Sequence, residues 1–405
     1  MDRYLVISSD CHAGLPPERY REYLDPRHRQ AFDLALPIQI EMIRQAEQRF
    51  LIADINAEWR RGRERDLCAA WDHDERIRVL DADGIAAEII FPDGITEMNT
   101  PPFGAGLSLP TENVLPELQW AGARAHNRWL AEFVRMAPER RVGVALVPLW
   151  DVQEAVSEVR WARENGLSGI LLPALWGPLP AYHHPGYDPL WEVCADLDVV
   201  VHFHSGPAPS DDYFGAQPLP GQPAPPDAVE LPGAVGIYIS EVCWWSARPL
   251  TFLIWGGVFE RHPKLKVAIT ESTTVWAPEY LSLLDHRYSE THYSHKLGDY
   301  RSHLSMKPSE YFARNVRLGA SCMPRHEAER RHQIGLGCIM WGSDFPHPEG
   351  SWPLTRQQMQ QTFQGLPEDE IAAMLGGNAA AFYGFDTGKL APIVARIGPE
   401  KSLFR

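Results

Sequence analysis

The sequence predicts a (β/α)8 barrel, and three observations carry that prediction. Eight short apolar runs rich in β-branched residues recur along the 405 residues, amphipathic helical stretches separate them, and no GxGxxG follows the first run. Alternating strand and helix implies parallel neighbours, because parallel strands need a long return connection. Eight such units suit a closed barrel, and the missing glycine fingerprint removes the main sign of an open dinucleotide-binding sheet. At roughly 150 residues per domain the length would also suit two or three domains, but barrels run well past 200 as one unit. The expectation is therefore a single barrel domain over residues 1–385 and a C-terminal extension over 386–405.

Taken in order, the runs are Leu5–Asp10, Ala86–Phe91, Val142–Pro148, Gly169–Pro173, Val199–His204, Lys266–Glu271, Asn315–Ala320 and Cys338–Asp344. Each is strand-sized and is followed by a polar or helical stretch. Helical periodicity is clearest over Pro116–Val134, Val152–Glu164 and Trp276–His286. The excess length falls in insertions at 13–80, 93–140 and 205–262. The last holds Pro207, Pro209, Pro218, Pro220, Pro223, Pro225, Pro226 and Pro232, so residues 206–233 read as a long loop without regular helix or central strand.

Composition narrows the function classes. With 44% hydrophobic and 22% charged residues the chain is globular rather than disordered or fibrous. Against 53 acidic residues stand 38 Lys+Arg with no basic block, so nucleic acid is not an expected partner. No apolar run approaches the roughly 18 residues that span a bilayer, and the opening MDRYLVISSD lacks a signal-peptide pattern. A cytoplasmic enzyme with a small-molecule substrate is expected, and a homodimer is compatible with an acidic barrel. Six scattered cysteines without a CxxC pair argue against a disulfide framework or a thiolate zinc ribbon.

In a barrel, reactive groups sit where strands end and βα loops begin. The first run closes on Asp10 and His12, two apart and so on one face of an extended chain. Val199–His204 holds His202 and His204 in the same relation. Glu271 closes the sixth run and Asp344 the eighth, followed by His347 and Glu349. His202, one step deeper than His204, is either a further ligand or a buried structural histidine. Three carboxylates at one mouth would repel by about 3 kcal/mol per pair at roughly 5 Å and an effective dielectric near 20, and a bound cation relieves that. Imidazole with carboxylate and no thiolate suits Zn, Mn, Fe or Co. Asp10, Glu271 and Asp344 carry −3, which one divalent ion takes to −1 and two take to +1, so one or two ions are both admissible.

The set formed by DxH in SSDCHAG, the strand-five histidine, FERHPKLKVAITESTTVW, SDFPHPEGSWP and the late LGGNAAAFYGF resembles the amidohydrolase superfamily. The likeness is to the amidohydrolase-related group that includes aromatic-acid decarboxylases. It implies that Asp10 and His12 form the first metal-binding pair, that His204 is the fifth-strand ligand, and that Asp344 binds metal and handles a proton. Two departures stand out: Asp10 where HxH is commoner, and Glu271 where the decarboxylases often carry His.

On this reading Asp344, Glu271 and His204 are the catalytic candidates, and Asp10, His12, His202, His204, Glu271 and Asp344 the metal-ligand candidates. The leading expectation is a hydrolase that sends a metal-activated water at an amide, ester or acyl-thioester, such as an acyl-CoA, of a bulky apolar or aromatic acid. Trp150, Trp176, Tyr182, Tyr213, Tyr238, Trp244 and Trp245 could line such a pocket, though most tryptophans belong to cores. The alternatives are a non-oxidative aromatic-acid decarboxylase, in which Arg248 could grip a carboxylate, and a non-catalytic binding barrel.

Overall fold

The computed structural model describes residues 2–50, 53–93, 99–106, 115–209, 212–213, 218–223, 231–290 and 296–405. Eight strands lie in one parallel sheet in chain order: β1 (Ile7–His12), β2 (Ala87–Phe91), β3 (Arg141–Leu146), β4 (Gly169–Leu171), β5 (Val200–His204), β6 (Val267–Thr270), β7 (Val316–Ser321) and β8 (Ile339–Gly342). β8 returns to β1, where Asp344 N donates to Asp10 O at 2.9 Å and His12 N to Phe345 O at 2.7 Å. The result is the predicted (β/α)8 barrel, and all eight apolar runs are its strands.

The strands are apolar because helices cover their outer face while inward side chains fill the barrel. Ile7, Ile89, Phe91, Val144, Leu171, Val200 and Met340 form an inner cluster. Between Ser8 and Cys11 the pairing of β1 with β2 shifts register. That irregularity explains how Ile7 joins the inner cluster while Asp10, an odd number of residues later, still reaches the mouth.

Three predicted helices are present as Pro116–Arg135, Val152–Glu164 and Ala277–Ser289. The second begins where Asp151 accepts bonds from Gln153 N and Glu154 N, a side-chain cap that satisfies two free donors. The insertion after β1 carries helices Arg29–Phe50, Ala53–Arg60 and His73–Asp83, and the one after β5 carries Ala234–Ala247 and Pro249–Trp255. Within 206–233 the described residues are irregular except for a helical turn at Asp212 and Tyr213, in a proline-free stretch. Pro225 and Pro226 lie outside the described residues. At the opposite end of the barrel, Leu390 from helix Thr387–Ile397 joins the inner cluster, and Phe404 meets Tyr4 edge-on at 5.2 Å.

Candidate metal centre

Four strand ends deliver the donors. From β1, His12 Nε2 lies 3.4 Å from Asp10 Oδ1, and from β5, His204 Nε2 lies 3.3 Å from the same oxygen. Just past β8, Asp344 sets its Oδ1 3.3 Å from His12 Nε2. Just past β6, Glu271 accepts from Ser205 Oγ at 2.5 Å and stands 3.5 Å from His204 Nδ1. Asp10, His12, His204 and Asp344 are buried, while the Glu271 side chain is 25% exposed. Donor atoms of Asp10, His12 and His204 lie within 4.8 Å of one another, as do those of His12, Asp344 and His347, and those of Glu271, Asp344 and Glu349.

Backbone geometry aims these groups. Glu271 (φ 56°) and Asp344 (φ 57°) both adopt the left-handed region that side chains rarely occupy, a strain typical of functional turns. Gly342 lets β8 approach β1, since a Cβ there would stand 2.8 Å from Asp10 Cβ. His12 Nδ1 lies 2.9 Å from Pro92 O and His204 Nδ1 3.0 Å from Ser205 O. A carbonyl only accepts, so each Nδ1 carries a proton and each Nε2 turns to the cluster.

The electrostatics are those of a site built around a cation. Burial works against charge on Asp10, yet His204 and His12 hold its carboxyl far below the usual range. Burial likewise opposes charge on His12, yet Asp10 and Asp344 hold its imidazole well above its ordinary value. Asp344 is pushed up to about 6, first by burial and then by Asp10. Burial, then Asp344, also raises Glu271. His12 Nε2 and Asp344 Oδ1 are buried without a hydrogen-bond partner. Unmet donor and acceptor atoms of this kind, with two imidazoles and two carboxylates converging on them, fit a divalent ion that displaces the His12 proton.

The amidohydrolase family model (Amidohydro_2) matches residues 10–385. The chain belongs to the amidohydrolase family. Among characterised amidohydrolase relatives, 2-amino-3-carboxymuconate-6-semialdehyde decarboxylase of Dictyostelium discoideum is 24% identical over 324 residues, 79% of this chain and 78% of that one. Gamma-resorcylate decarboxylase of Rhizobium sp. (strain MTP-10005) is 25% identical over 282 residues, 67% of this chain and 76% of its own. The barrel superposes on a 5-carboxyvanillate decarboxylase of Novosphingobium aromaticivorans, solved with manganese, at a TM-score of 0.62 and 19% identity over 95% of this chain and 97% of that one. These relatives correct the expectation of a hydrolase acting on an amide, ester or acyl-thioester: the similar proteins are carboxy-lyases.

Within this amidohydrolase barrel the structure brings together donor atoms of Asp10, His12, His204 and Asp344, sets Glu271 beside Asp344 and beside the His204 nitrogen that turns away from them, and leaves His202 apart. His202 Nδ1 faces Ile170 O at 3.2 Å and Nε2 faces Tyr383 Oη at 3.0 Å, so both nitrogens are already engaged. Two residues of strand put it about 7 Å deeper than His204, which is why the shared face does not make a shared ligand sphere. Burial lowers it to about 3, a neutral interior histidine.

Other members escaped sequence reasoning or were given a smaller part. His347 stacks on His12 at 3.8 Å and brings Nδ1 to 3.1 Å from Asp344 Oδ1, inside the cluster rather than around it. Ser321, the last residue of β7, donates to Asp10 Oδ2. Extending the seventh apolar run by one residue would have found it. Arg76, from the first insertion, donates to His12 O at 2.9 Å and has no local signal at all. Arg248 has no acidic partner among the described residues; its guanidinium stands 5.1 Å from the Trp176 ring, 5.3 Å from Trp245 and 5.4 Å from Phe252. Of the expected pocket aromatics, Tyr182 is buried and donates to Pro173 O, and Trp245 donates to Tyr213 Oη at 2.8 Å, so these two serve packing.

Proposed function

We propose that this chain is a metal-dependent, non-oxidative decarboxylase of a hydroxylated aromatic or similarly conjugated acid. The observation that carries the reading is the run of decarboxylases among its sequence relatives, laid over a buried cluster whose unmet donors fit a divalent ion. Asp10, His12, His204 and Asp344 would hold the ion, whose chemistry there is Lewis-acid polarisation of substrate oxygens.

The remaining work falls to side chains of the chain itself. Decarboxylation breaks the bond between ring carbon and carboxylate, leaves the electron pair on the ring carbon, and requires a proton there as carbon dioxide departs. Asp344 is the proton handler in this reading, its carboxyl pushed up to about 6 by burial so that it can carry the proton, while His347 Nδ1 at 3.1 Å orients it. Glu271, held by Ser205 Oγ, stands across the mouth as a second acid or an additional ligand. Arg248, which stands over Trp176 without an acidic partner among the described residues, suits a substrate carboxylate, which a guanidinium binds with two parallel bonds. No water takes part, which agrees with donors sealed in the barrel mouth.

The test is a product balance. Manganese-loaded protein is incubated with 2,6-dihydroxybenzoate, 5-carboxyvanillate and related hydroxybenzoates in D2O. Carbon dioxide should appear in equal amount to an arene bearing one deuterium at the vacated carbon. Cleavage of esters or thioesters with no carbon dioxide from any acid would overturn the proposal.

A further inference from the structure

The donor residues of the cluster differ in what their second polar atom requires. An imidazole that turns Nε2 to the cluster keeps an N–H at Nδ1, which needs an acceptor: His12 finds Pro92 O at 2.9 Å and His204 finds Ser205 O at 3.0 Å. Asp10 turns Oδ1 to the cluster, 3.4 Å from His12 Nε2 and 3.3 Å from His204 Nε2, and leaves Oδ2, which needs a donor. A backbone carbonyl would not serve it, since carbonyls only accept. The hydroxyl of Ser321 does, donating to Oδ2 of the fully buried Asp10.

We propose that Ser321 is a positioning residue of the metal centre: its hydroxyl engages one oxygen of Asp10 so that the other alone faces the cation. Ser321 ends β7 and Asp10 lies on β1, with β8 between them. The bond therefore passes over a whole strand, a backbone separation on the order of 10 Å at about 4.8 Å per strand. The residue paired with Ser321 on β8 is Gly342. A Cβ there would stand 2.8 Å from Asp10 Cβ, so a side chain on β8 at this level would push Asp10 out of place. The next residue of β7, Cys322, takes the left-handed region (φ 47°) and donates from N to Gly342 O at 2.9 Å, which ties the end of β7 to β8 at the same level.

The consequence is one of geometry. A carboxylate free at both oxygens can chelate one ion through the pair, which raises the coordination number and suits larger ions. Tied at Oδ2, Asp10 presents a single oxygen, as a histidine in its place would present a single nitrogen. The inference rests on the metal-binding reading of the cluster and not on the reaction performed there.

The experiment measures Mn(II) affinity of the full chain by competition with a fluorescent chelator, and EPR of the bound ion at saturation, for wild type, Ser321→Ala, Ser321→Thr and Ser321→Val. Threonine and valine share a shape and differ by the hydroxyl. Ser321→Thr should stay within threefold of wild type and keep its spectrum. Ser321→Ala and Ser321→Val should bind at least about tenfold more weakly, with an altered Mn(II) line shape. Threonine and valine variants weakened alike would reduce the residue to packing, and an alanine or valine variant equal to wild type would leave the hydroxyl without a role; either result overturns the proposal while the metal site stands. A wild-type chain that binds no manganese would overturn the metal reading together with it. Should one apolar variant fail to fold by circular dichroism, the other decides against Ser321→Thr.

Discussion

Asp83 closes the helix His73–Asp83 with its carboxyl buried at 7% exposure, accepting a 2.5 Å bond from Thr355 Oγ1. Burial pushes it up to about 6 against that bond, and a helix C-terminus is a poor place for negative charge. Its folded value lies above its unfolded value near 4, so its contribution is complete below pH 4 and is lost as pH rises through 6. Asp83→Asn should therefore match wild type in urea unfolding at pH 4 and exceed it at pH 8 by up to about 3 kcal/mol. The same scale separates the two histidines of β5. His202→Gln should keep the full metal content, because neither nitrogen faces the cluster, whereas His204→Gln should weaken metal binding at least about tenfold. Asp344→Asn should lower kcat by at least about 100-fold with circular dichroism unchanged, since it removes the proton but little volume. Sequence alone showed which residue types stand at these strand ends. It could not show that His202 is spoken for by Tyr383, a residue 181 positions away.

At the scale of elements, β1 is placed by contacts that come from three other segments. Arg76 donates to His12 O at 2.9 Å, lies 4.9 Å from the Phe345 ring centre, and is fixed by Glu88 on β2. Glu88 also holds the buried Arg141 at 3.3 Å, so Arg76→Met leaves that carboxylate one partner instead of two. Arg76→Met should cost about 3 kcal/mol by denaturant unfolding, and adding Glu88→Leu should cost more rather than recover it, because Arg141 then stands buried without its acid. The eight strands were legible because a strand buried on both faces is a short apolar run wherever it occurs. The register shift in β1 was not, because LVISSD reads the same with or without it. Likewise the left-handed turns at Glu271 and Asp344 leave little mark in residue type, since glutamate does not favour that backbone and aspartate, though it tolerates it better than most, stands far more often elsewhere. His347 was visible in SDFPHPEG as a neighbour of Asp344, but only the turn of that loop stacks it on His12.

For the whole molecule, closure of β8 on β1 is what turns scattered donor groups into one cluster: Asp10 and Asp344 are 334 positions apart in sequence, yet Asp344 N donates to Asp10 O at 2.9 Å. A metal that binds only this assembled form stabilises it by mass action, about 4 kcal/mol at a free concentration 1,000 times Kd. Removal of metal with a chelator should lower Tm by several degrees in scanning calorimetry, and Mn(II) should restore it. The sequence by itself determined the barrel, the strand ends and the choice of imidazole and carboxylate donors, because burial and alternation write themselves into local composition. Which donors meet, which histidine is excluded and which acids lack a counter-charge were decided only by the tertiary structure. Those are properties of distance between segments remote in the chain, and distance has no local signature.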